Sequence, residues 1–261
     1  MTFLEDLHAT FRLVPFIAET VRWDTARRYR LTVLGPFVIS LGQCAVMTFT
    51  AFVLGRVLAQ DFMHFLPYVV LSNALWLFIS NALAPSTTIY LQRAPQLLTQ
   101  PMPLLLVPAI HLAQISVQFA HDLIPPLILL ILIYGPKASW LLALPAFGLW
   151  MVTALAVIHI IATYATRHVV IIGTIIGTAT QCLLLVTPIL WPVGQLGPFA
   201  WVQAWNPIFA YVEIVRAPLL GVALEAWAWP AALGWTAMLL VSAVFVHRQA
   251  RARLTFWIGS A

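Results

Sequence analysis

The sequence predicts an all-α integral membrane protein with six transmembrane helices. Only 8% of the 261 residues are charged and 62% are apolar, whereas soluble domains carry about 25% charged residues. A water-soluble fold of this size could not cover its surface with so few charges. A spanning helix needs about 20 mostly apolar residues, so the chain has room for six spans and short loops but for no sizeable soluble domain.

Apolar runs between charges and turn residues locate the spans. The six predicted spans are residues 31–55, 65–90, 104–134, 140–164, 169–190 and 226–247. The third run is long, and we expect Pro125-Pro126 to bend its helix because proline removes a helical hydrogen bond.

Positive charges predict how the spans are oriented. Residues 1–30, 91–103, 164–168 and 248–261 together hold ten arginines, whereas the opposite loops hold Arg56, Lys137 and Arg216. Cytoplasmic loops carry the excess of Lys and Arg, so both termini are predicted to be cytoplasmic, with 248–261 as a tail. The net charge of +5 fits an anionic membrane surface, and no nucleic-acid partner is expected.

The first thirty residues predict an amphipathic segment rather than a span. Phe3, Leu7 and Phe11 recur every four residues, and the charged Asp6 and Arg12 lie off that line. We expect a short helix in the cytoplasmic interface; a partly ordered tail is the alternative.

Residues 191–225, between the fifth and sixth spans, are apolar but cannot form one straight helix. They contain four prolines: Pro192, Pro198, Pro207 and Pro218. Short broken helices that re-enter from the outer face fit this content, since irregular backbone at that depth needs a protein cover or a water-filled cavity. An interfacial loop anchored by tryptophans is the alternative.

Catalytic and nucleotide-binding motifs are missing from the sequence. There is no G-x-x-x-x-G-K-[ST] motif, and the only lysine, Lys137, follows Gly-Pro, so the chain has no P-loop for nucleotide phosphates. Metal-ligand and nucleophile motifs are also missing, and we expect neither an enzyme nor a metal site. Asp122 is the one clear acidic residue within a span, which argues against an ion-coupled carrier.

Polar side chains share one face of the predicted third span, within an arc of roughly 100°. They are His111, Gln114, Gln118, His121 and Asp122. This face is expected to look inward, either as the wall of a path for a hydroxyl-rich substrate or as interhelical hydrogen bonds worth about 0.6 kcal/mol each. Asn73 of the second span is a further candidate for the path.

The predicted cytoplasmic loop 91–103 has a centre that can form one or two helical turns. This centre consists of Pro95, Gln96, Leu97, Leu98, Thr99 and Gln100. Leu97 and Leu98 are expected to be exposed, and exposed apolar patches often mark partner sites; a plain connector is the alternative. On the opposite side, Glu213 and Arg216 have the i, i+3 spacing of a helical ion pair.

Three stretches resemble the permease subunits of type-2 ABC exporters, above all those that export O-antigen and related lipid-linked polysaccharides. RRYRLTVLGP at 27–36 resembles the basic-aromatic run and Leu-Gly turn that open their first span. His121-Asp122 resembles a His-Asn pair of the third span. TPILWP at 187–192 with WNPIFAYVEIVRAPLLG at 205–221 resembles the outer-gate block.

This sequence departs from the family pattern at three positions. Phe37 stands where Trp is common, Asp122 replaces the usual Asn, and Gln100 precedes Pro-Met-Pro where a basic residue is frequent.

The resemblance implies an exporter of an undecaprenyl-linked polysaccharide across the bacterial cytoplasmic (inner) membrane. Such permeases form homodimers, and each copy docks one separate P-loop ATPase subunit, which carries the ATP and Mg²⁺. The loop around 96–100 then corresponds to the coupling helix, and Arg27, Arg28 and Arg30 to the interface near the lipid phosphates. The implied outer gate includes Trp201, Trp205, Asn206, Pro207, Tyr211, Glu213 and Arg216.

Two other functions remain open from the sequence. A type-2 ABC permease for another lipid or a drug has the same features, and a stand-alone secondary carrier is the alternative from a different class.

Overall fold

The computed structural model describes residues 2–30, 35 and 37–259, and these form helices joined by short turns. Six helices of the described part are long and apolar enough to cross a membrane, as predicted. In chain order the α-helices are α1 (Phe3–Arg12), α2 (Val14–Arg28), α3 (Phe37–Val57), α4 (Phe62–Leu83), α5 (Ile89–Gln92), α6 (Ala94–Thr99), α7 (Leu106–Tyr134), α8 (Ala143–Arg167), α9 (Val169–Val186), α10 (Pro207–Leu220) and α11 (Ala228–Gly259).

The spans are α3, α4, α7, α8, α9 and α11, and most of their ends lie near the predicted ones. The predicted start of the first span, residues 31–34 and 36, lies outside the described residues. The second span does not continue to Tyr90 as one α-helix, because Pro85 opens a 3₁₀ turn at Pro85–Thr87 before α5. The α7 helix is continuous through Pro125 and Pro126.

The sixth helix corrects the prediction of a separate cytoplasmic tail. α11 continues to Gly259, whereas the hydropathy run ends at His247. The extension carries Leu254 and Ile258, which are buried in the core, and it packs against α6. The charged residues after His247 end the apolar run in the sequence. The helix continues because Leu254 and Ile258, four positions apart, lie on one face and pack against the core.

Aromatic side chains hold the centre of the bundle together. Phe78 of α4 stacks on Trp150 of α8 with ring centroids 5.4 Å apart, and Phe119 of α7 lies 4.9 Å from Phe78. Such pairs contribute about 0.5–1.5 kcal/mol beyond the burial of their area. They fix α4, α7 and α8 relative to one another.

The N-terminal helices lie against one end of this bundle. α1 begins with a capping box, in which the Thr2 amide donates to Glu5 and the Glu5 amide donates to Thr2 Oγ1. Its buried residues are Asp6 and Thr10, whereas Phe11 is exposed. Asp6, which lies off the apolar line of this helix, is therefore on its buried side. Its carboxylate accepts the amides of Leu104 (3.1 Å) and Leu105 (2.8 Å) just before α7, where helical amides lack partners.

The segment between the fifth and sixth spans is broken and returns into the bundle, as predicted. A 3₁₀ stretch, Val193–Trp205, is interrupted at Gly197, where φ is 51° and glycine avoids the strain of a left-handed backbone. α10 follows with 14 residues, about 21 Å at 1.5 Å per residue, which is too short to cross a core of about 30 Å. Eleven of its residues, Phe209–Leu219, are buried.

Candidate functional site

Candidate functional residues lie at both ends of the bundle. We call the end that holds Arg93 and Arg167 the arginine-rich end, and the end that holds Arg56 and Lys137 the opposite end. α10 finishes at the opposite end, where Lys137 Nζ donates to the Leu220 carbonyl at 2.9 Å.

The predicted coupling segment is a short surface helix at the arginine-rich end. α6 has Pro95 in its first turn, where proline is favoured, and ends before the extended Gln100. Its exposed residues are Pro95, Gln96, Leu98, Thr99 and Gln100.

Leu97 is the exception within α6. It is 9% exposed and belongs to the main core, whereas Leu98 is 51% exposed. The prediction that both leucines form exposed knobs is wrong for Leu97, because a six-residue helix on the surface needs one apolar anchor to hold it there. Of the two leucines, Leu98 is the one that faces outward.

Asp24 of α2 joins three elements at this end, and sequence reasoning missed it. Its Oδ2 accepts Gln114 Nε2 of α7 at 2.7 Å and lies 3.3 Å from Arg93 Nη2. Arg93 also donates from Nη1 to Gln96 Oε1 of α6 at 3.3 Å. One carboxylate therefore connects α2, α7 and the start of α6. The only signal in the sequence was an acidic residue within a basic run.

The three arginines assigned to lipid phosphates lie three to six residues after Asp24. Arg27, Arg28 and Arg30 are all exposed. Arg28 borders a cleft of about 30 Å³ together with Asp24 and Gln114. Tyr29 turns inward between them and donates to Gln118 Oε1 at 2.8 Å, so the basic segment is held against α7.

The polar face of α7 bonds to its neighbours rather than to an open lumen. Gln118 Nε2 and Ser40 Oγ of α3 both donate to Asp122 Oδ1, at 2.9 and 2.7 Å. His111 Nε2 contacts the Asn81 carbonyl of α4 at 3.0 Å. His121 Nδ1 lies 2.7 Å from the Val117 carbonyl of its own helix.

These contacts favour the interhelical reading of the polar face. Asn73 lies at a second cleft with Ser40 and Asp122, of about 10 Å³. An apolar cavity that holds one benzene ring has about 150 Å³, so neither cleft of a single chain can hold a sugar ring. A role of these residues along a substrate path stays a prediction.

A second cluster of buried polar groups lies behind the coupling segment. Burial raises the pKa of Tyr90, so its phenol keeps its proton and donates to the Leu104 carbonyl at 3.1 Å. His159 Nδ1 lies 3.0 Å from the Tyr90 hydroxyl oxygen and must then donate to it. The cluster links α5, α8 and the start of α7.

At the opposite end, Glu213 and Arg216 form a buried ion pair. Arg216 Nη2 lies 2.7 Å from Glu213 Oε2, and the side chains are 3% and 11% exposed. Arg216 Nη1 also donates to Tyr68 Oη (2.9 Å) and Ser72 Oγ (3.1 Å) of α4 and to the Pro188 carbonyl. The pair therefore ties α10 to α4 and to the turn after α9.

The remaining predicted gate residues fall into two groups. Asn206 caps α10 by accepting the amides of Ile208 and Phe209, with Pro207 in the first turn. Tyr211 Oη pairs with Thr236 Oγ1 of α11 at 2.8 Å. Both are buried, whereas Trp201 and Trp205 are 64% and 74% exposed. The first group fixes the re-entrant helix, and the tryptophans face outward.

A family model described as ABC-2 type transporter matches residues 19–220. The chain belongs to the ABC-2 type transporter family. The match runs from α2 to the end of α10 and so includes Asp24, the coupling segment and the re-entrant helix. A comparison with curated proteins gave no match.

Membership assigns the chain as the membrane component, or permease, of a type-2 ABC transporter rather than an enzyme. The ABC-2 family also implies an ATPase subunit as its partner. α1 and α11 lie outside the matched residues, yet they contact each other and α11 contacts α6. The contacts around the coupling segment of this ABC-2 permease thus extend beyond the family region.

Proposed function

We propose that the chain is the membrane subunit of an ATP-driven exporter that moves an undecaprenyl-linked, O-antigen-like polysaccharide across the bacterial cytoplasmic membrane. The observation that carries this proposal is the position of Asp24. It connects the arginine-bearing helix α2 to the segment that is expected to meet the ATPase. Movement of α6 is thereby transmitted to Arg27, Arg28 and Arg30, the side chains best suited to bind a lipid phosphate.

The arginine-rich end faces the cytoplasm in this proposal. The excess of arginine at that end supports this orientation, with both termini inside. The anionic inner surface of the membrane then lies beside α2, where Arg27, Arg28 and Arg30 are exposed. Arginine is the side chain that matches phosphate geometry with paired donors.

Two copies of the chain are needed to build a path. The clefts beside the polar face of α7 are too small for a sugar, and α3 and α9 are mostly exposed, with Thr180 the one buried residue of α9. A two-fold pair that joins such faces creates a path between copies. Each copy then docks one P-loop ATPase subunit, which binds ATP and Mg²⁺, on the exposed side of α6.

The exposed tryptophans of the broken segment support a glycan cargo. Trp201 and Trp205 lie on the 3₁₀ stretch that precedes α10. Aromatic rings with one apolar face and one wet edge suit the interface and can stack on sugar rings. The buried Glu213–Arg216 pair holds the segment that carries them.

Deletion of the gene tests the cargo. We expect lipid-linked saccharide to accumulate on the cytoplasmic side, detected by mass spectrometry of extracted lipids, and surface glycan to be lost. Wild-type chain should restore export. A variant with Arg27, Arg28 and Arg30 all changed to Ala should not, whereas Arg12→Ala, another exposed arginine, should restore it.

Unaltered surface glycan in the deletion strain rejects the polysaccharide cargo. If export of another lipid or a drug fails instead, the chain is an ABC-2 permease for that cargo. Transport by the purified chain alone, without an ATPase, supports the stand-alone carrier.

A further inference from the structure

A deep apolar cavity lies where α4, α8, α10 and α11 meet. Its volume is about 240 Å³, and its walls include Ala82 of α4, Ala154 of α8, Trp235 and Met238 of α11, and Pro207 and Ile208 of α10. An apolar cavity of about 150 Å³ accommodates benzene and stays free of water. This cavity therefore has room for a longer hydrocarbon. The two hydroxyl groups in its lining, those of Thr153 and Tyr211, already bond to Thr236, so they offer water little stabilisation.

The cavity lies near the middle of the bundle. Ala154 is 11 residues into α8 and Met238 is 10 residues into α11. At 1.5 Å per residue these positions are about 15–17 Å from the first residues of the helices, about half the thickness of a hydrocarbon core of about 30 Å. Both α8 and α11 begin at the opposite end, so their positions agree that the cavity lies near the middle of the membrane.

The mouth of the cavity opens onto the lipid-facing side of α11. Met238 is 50% exposed, and Val241 and Phe245 on the same face of the helix are 71% and 60% exposed. The cavity is therefore continuous with a surface that meets hydrocarbon. A narrow concave cleft does not suit a helix of a second copy, for which the long exposed faces of α3 and α9 are better shaped.

We propose that one hydrocarbon chain of a membrane phospholipid occupies this cavity. Transfer from bilayer to an apolar cavity brings no hydrophobic gain, so the contribution is the dispersion contacts that an unfilled cavity lacks. Ala82 and Ala154 are small and buried, and they leave the space that the chain fills.

The occupant contacts the start of the re-entrant helix. Pro207 and Ile208 form the first turn of α10, which is the part of this helix farthest from the opposite end. A lipid chain against this turn supports it from the membrane side. Chain occupancy is thereby linked to the position of the Glu213–Arg216 pair farther along the same helix.

Photolabelling tests the proposal. The full chain is reconstituted in vesicles of phosphatidylethanolamine and phosphatidylglycerol that include a phosphatidylethanolamine with a diazirine in one acyl chain. After irradiation, labelled peptides are mapped by mass spectrometry. We expect label on the peptides that carry Ala154 and Met238, in addition to general labelling of the exposed Ile128 and Leu132 of α7.

Filling the cavity should remove the specific label. Ala154→Phe and Ala82→Leu fill it from two different helices, so the test survives if one variant fails to fold. Both are expected to lose label at the cavity and to keep label on α7. Ala237→Phe, at an exposed position of α11, is the matched control and should keep both.

Three results would overturn the proposal. They are no label at the cavity in the wild-type chain, undiminished cavity label in both filled variants, or links at these peptides between two copies of the chain instead of to lipid.

Discussion

The carboxylate of Asp24 lies 2.7 Å from the side-chain nitrogen of Gln114, which is 90 residues away in the sequence. The same oxygen lies 3.3 Å from Arg93. These contacts join the arginine-bearing helix α2 to a transmembrane helix and to the residue that precedes α6. A displacement of α6 by an ATPase thus has a direct polar route to both.

Asp24→Ala should uncouple ATP hydrolysis from transport. The Arg93–Asp24 side chains are 22% and 38% exposed, and pairs of this kind contribute at most about 1 kcal/mol. We therefore expect a nearly unchanged melting temperature but reduced transport per ATP hydrolysed in the reconstituted complex. Glu19→Ala is the control on the same helix, since among the described residues Glu19 bonds to Arg22 and Trp23 of α2 itself. Equal losses in both variants contradict the linking role.

Leu98→Asp should prevent docking of the ATPase while the fold survives. Leu98 is 51% exposed, so a charge there costs little in the permease but disrupts an apolar contact. Leu97→Asp, its neighbour, should instead unfold the arginine-rich end, because it buries an unpaired charge. Co-purification of the ATPase and thermal unfolding in detergent separate the two effects. Normal docking of the Leu98→Asp chain shows that α6 is not the contact.

Glu213→Gln should strongly destabilise the permease. Removal of one partner from a buried ion pair typically costs about 3–5 kcal/mol, and Arg216 is 3% exposed. Glu19→Gln breaks a pair of the same spacing and the same 2.7 Å separation at exposed side chains, so its effect should be far smaller. Thermal unfolding of both variants in one detergent is the measurement. Similar shifts mean that the pair does not hold α10.

Asp122→Asn should fold and transport like the wild type. Both Ser40 and Gln118 donate to a single oxygen, Oδ1, and an asparagine carbonyl can accept the same two bonds. Asp122→Ala leaves both donors without an acceptor and should lower stability by about 1 kcal/mol, at roughly 0.6 kcal/mol per bond. If Asp122→Asn abolishes transport in a stable chain, the charge itself has a role on the path.

Composition and hydropathy were enough to predict the six spans, and the prolines were enough to predict that the segment between the fifth and sixth spans is broken. The extension of α11 was missed because Arg248, Arg251 and Arg253 end the apolar run, while the packing of Leu254 and Ile258 depends on a distant helix. Which face of α6 is buried could not be predicted from the sequence either. A helix of six residues has too few turns to tell which of Leu97 and Leu98 faces the core.

The linking residues were the hardest to foresee. Asp6 is an ordinary acidic residue of the amphipathic helix α1, and Asp24 is set apart only by the basic run around it. Their partners, Leu105 and Gln114, are 99 and 90 residues away. The buried state of Glu213 and Arg216 likewise follows from the return of α10 into the bundle, whereas their spacing alone fits an exposed pair equally well.

Reconstitution of the chain with its ATPase subunit, in vesicles that contain a lipid-linked saccharide, tests the central claim most directly. The measured quantity is the initial rate at which the saccharide crosses the bilayer. The account predicts transfer only when the permease, the ATPase and ATP are all present, and loss of transfer with Leu98→Asp. Transfer by the permease alone, or transfer that persists without hydrolysable ATP, contradicts it.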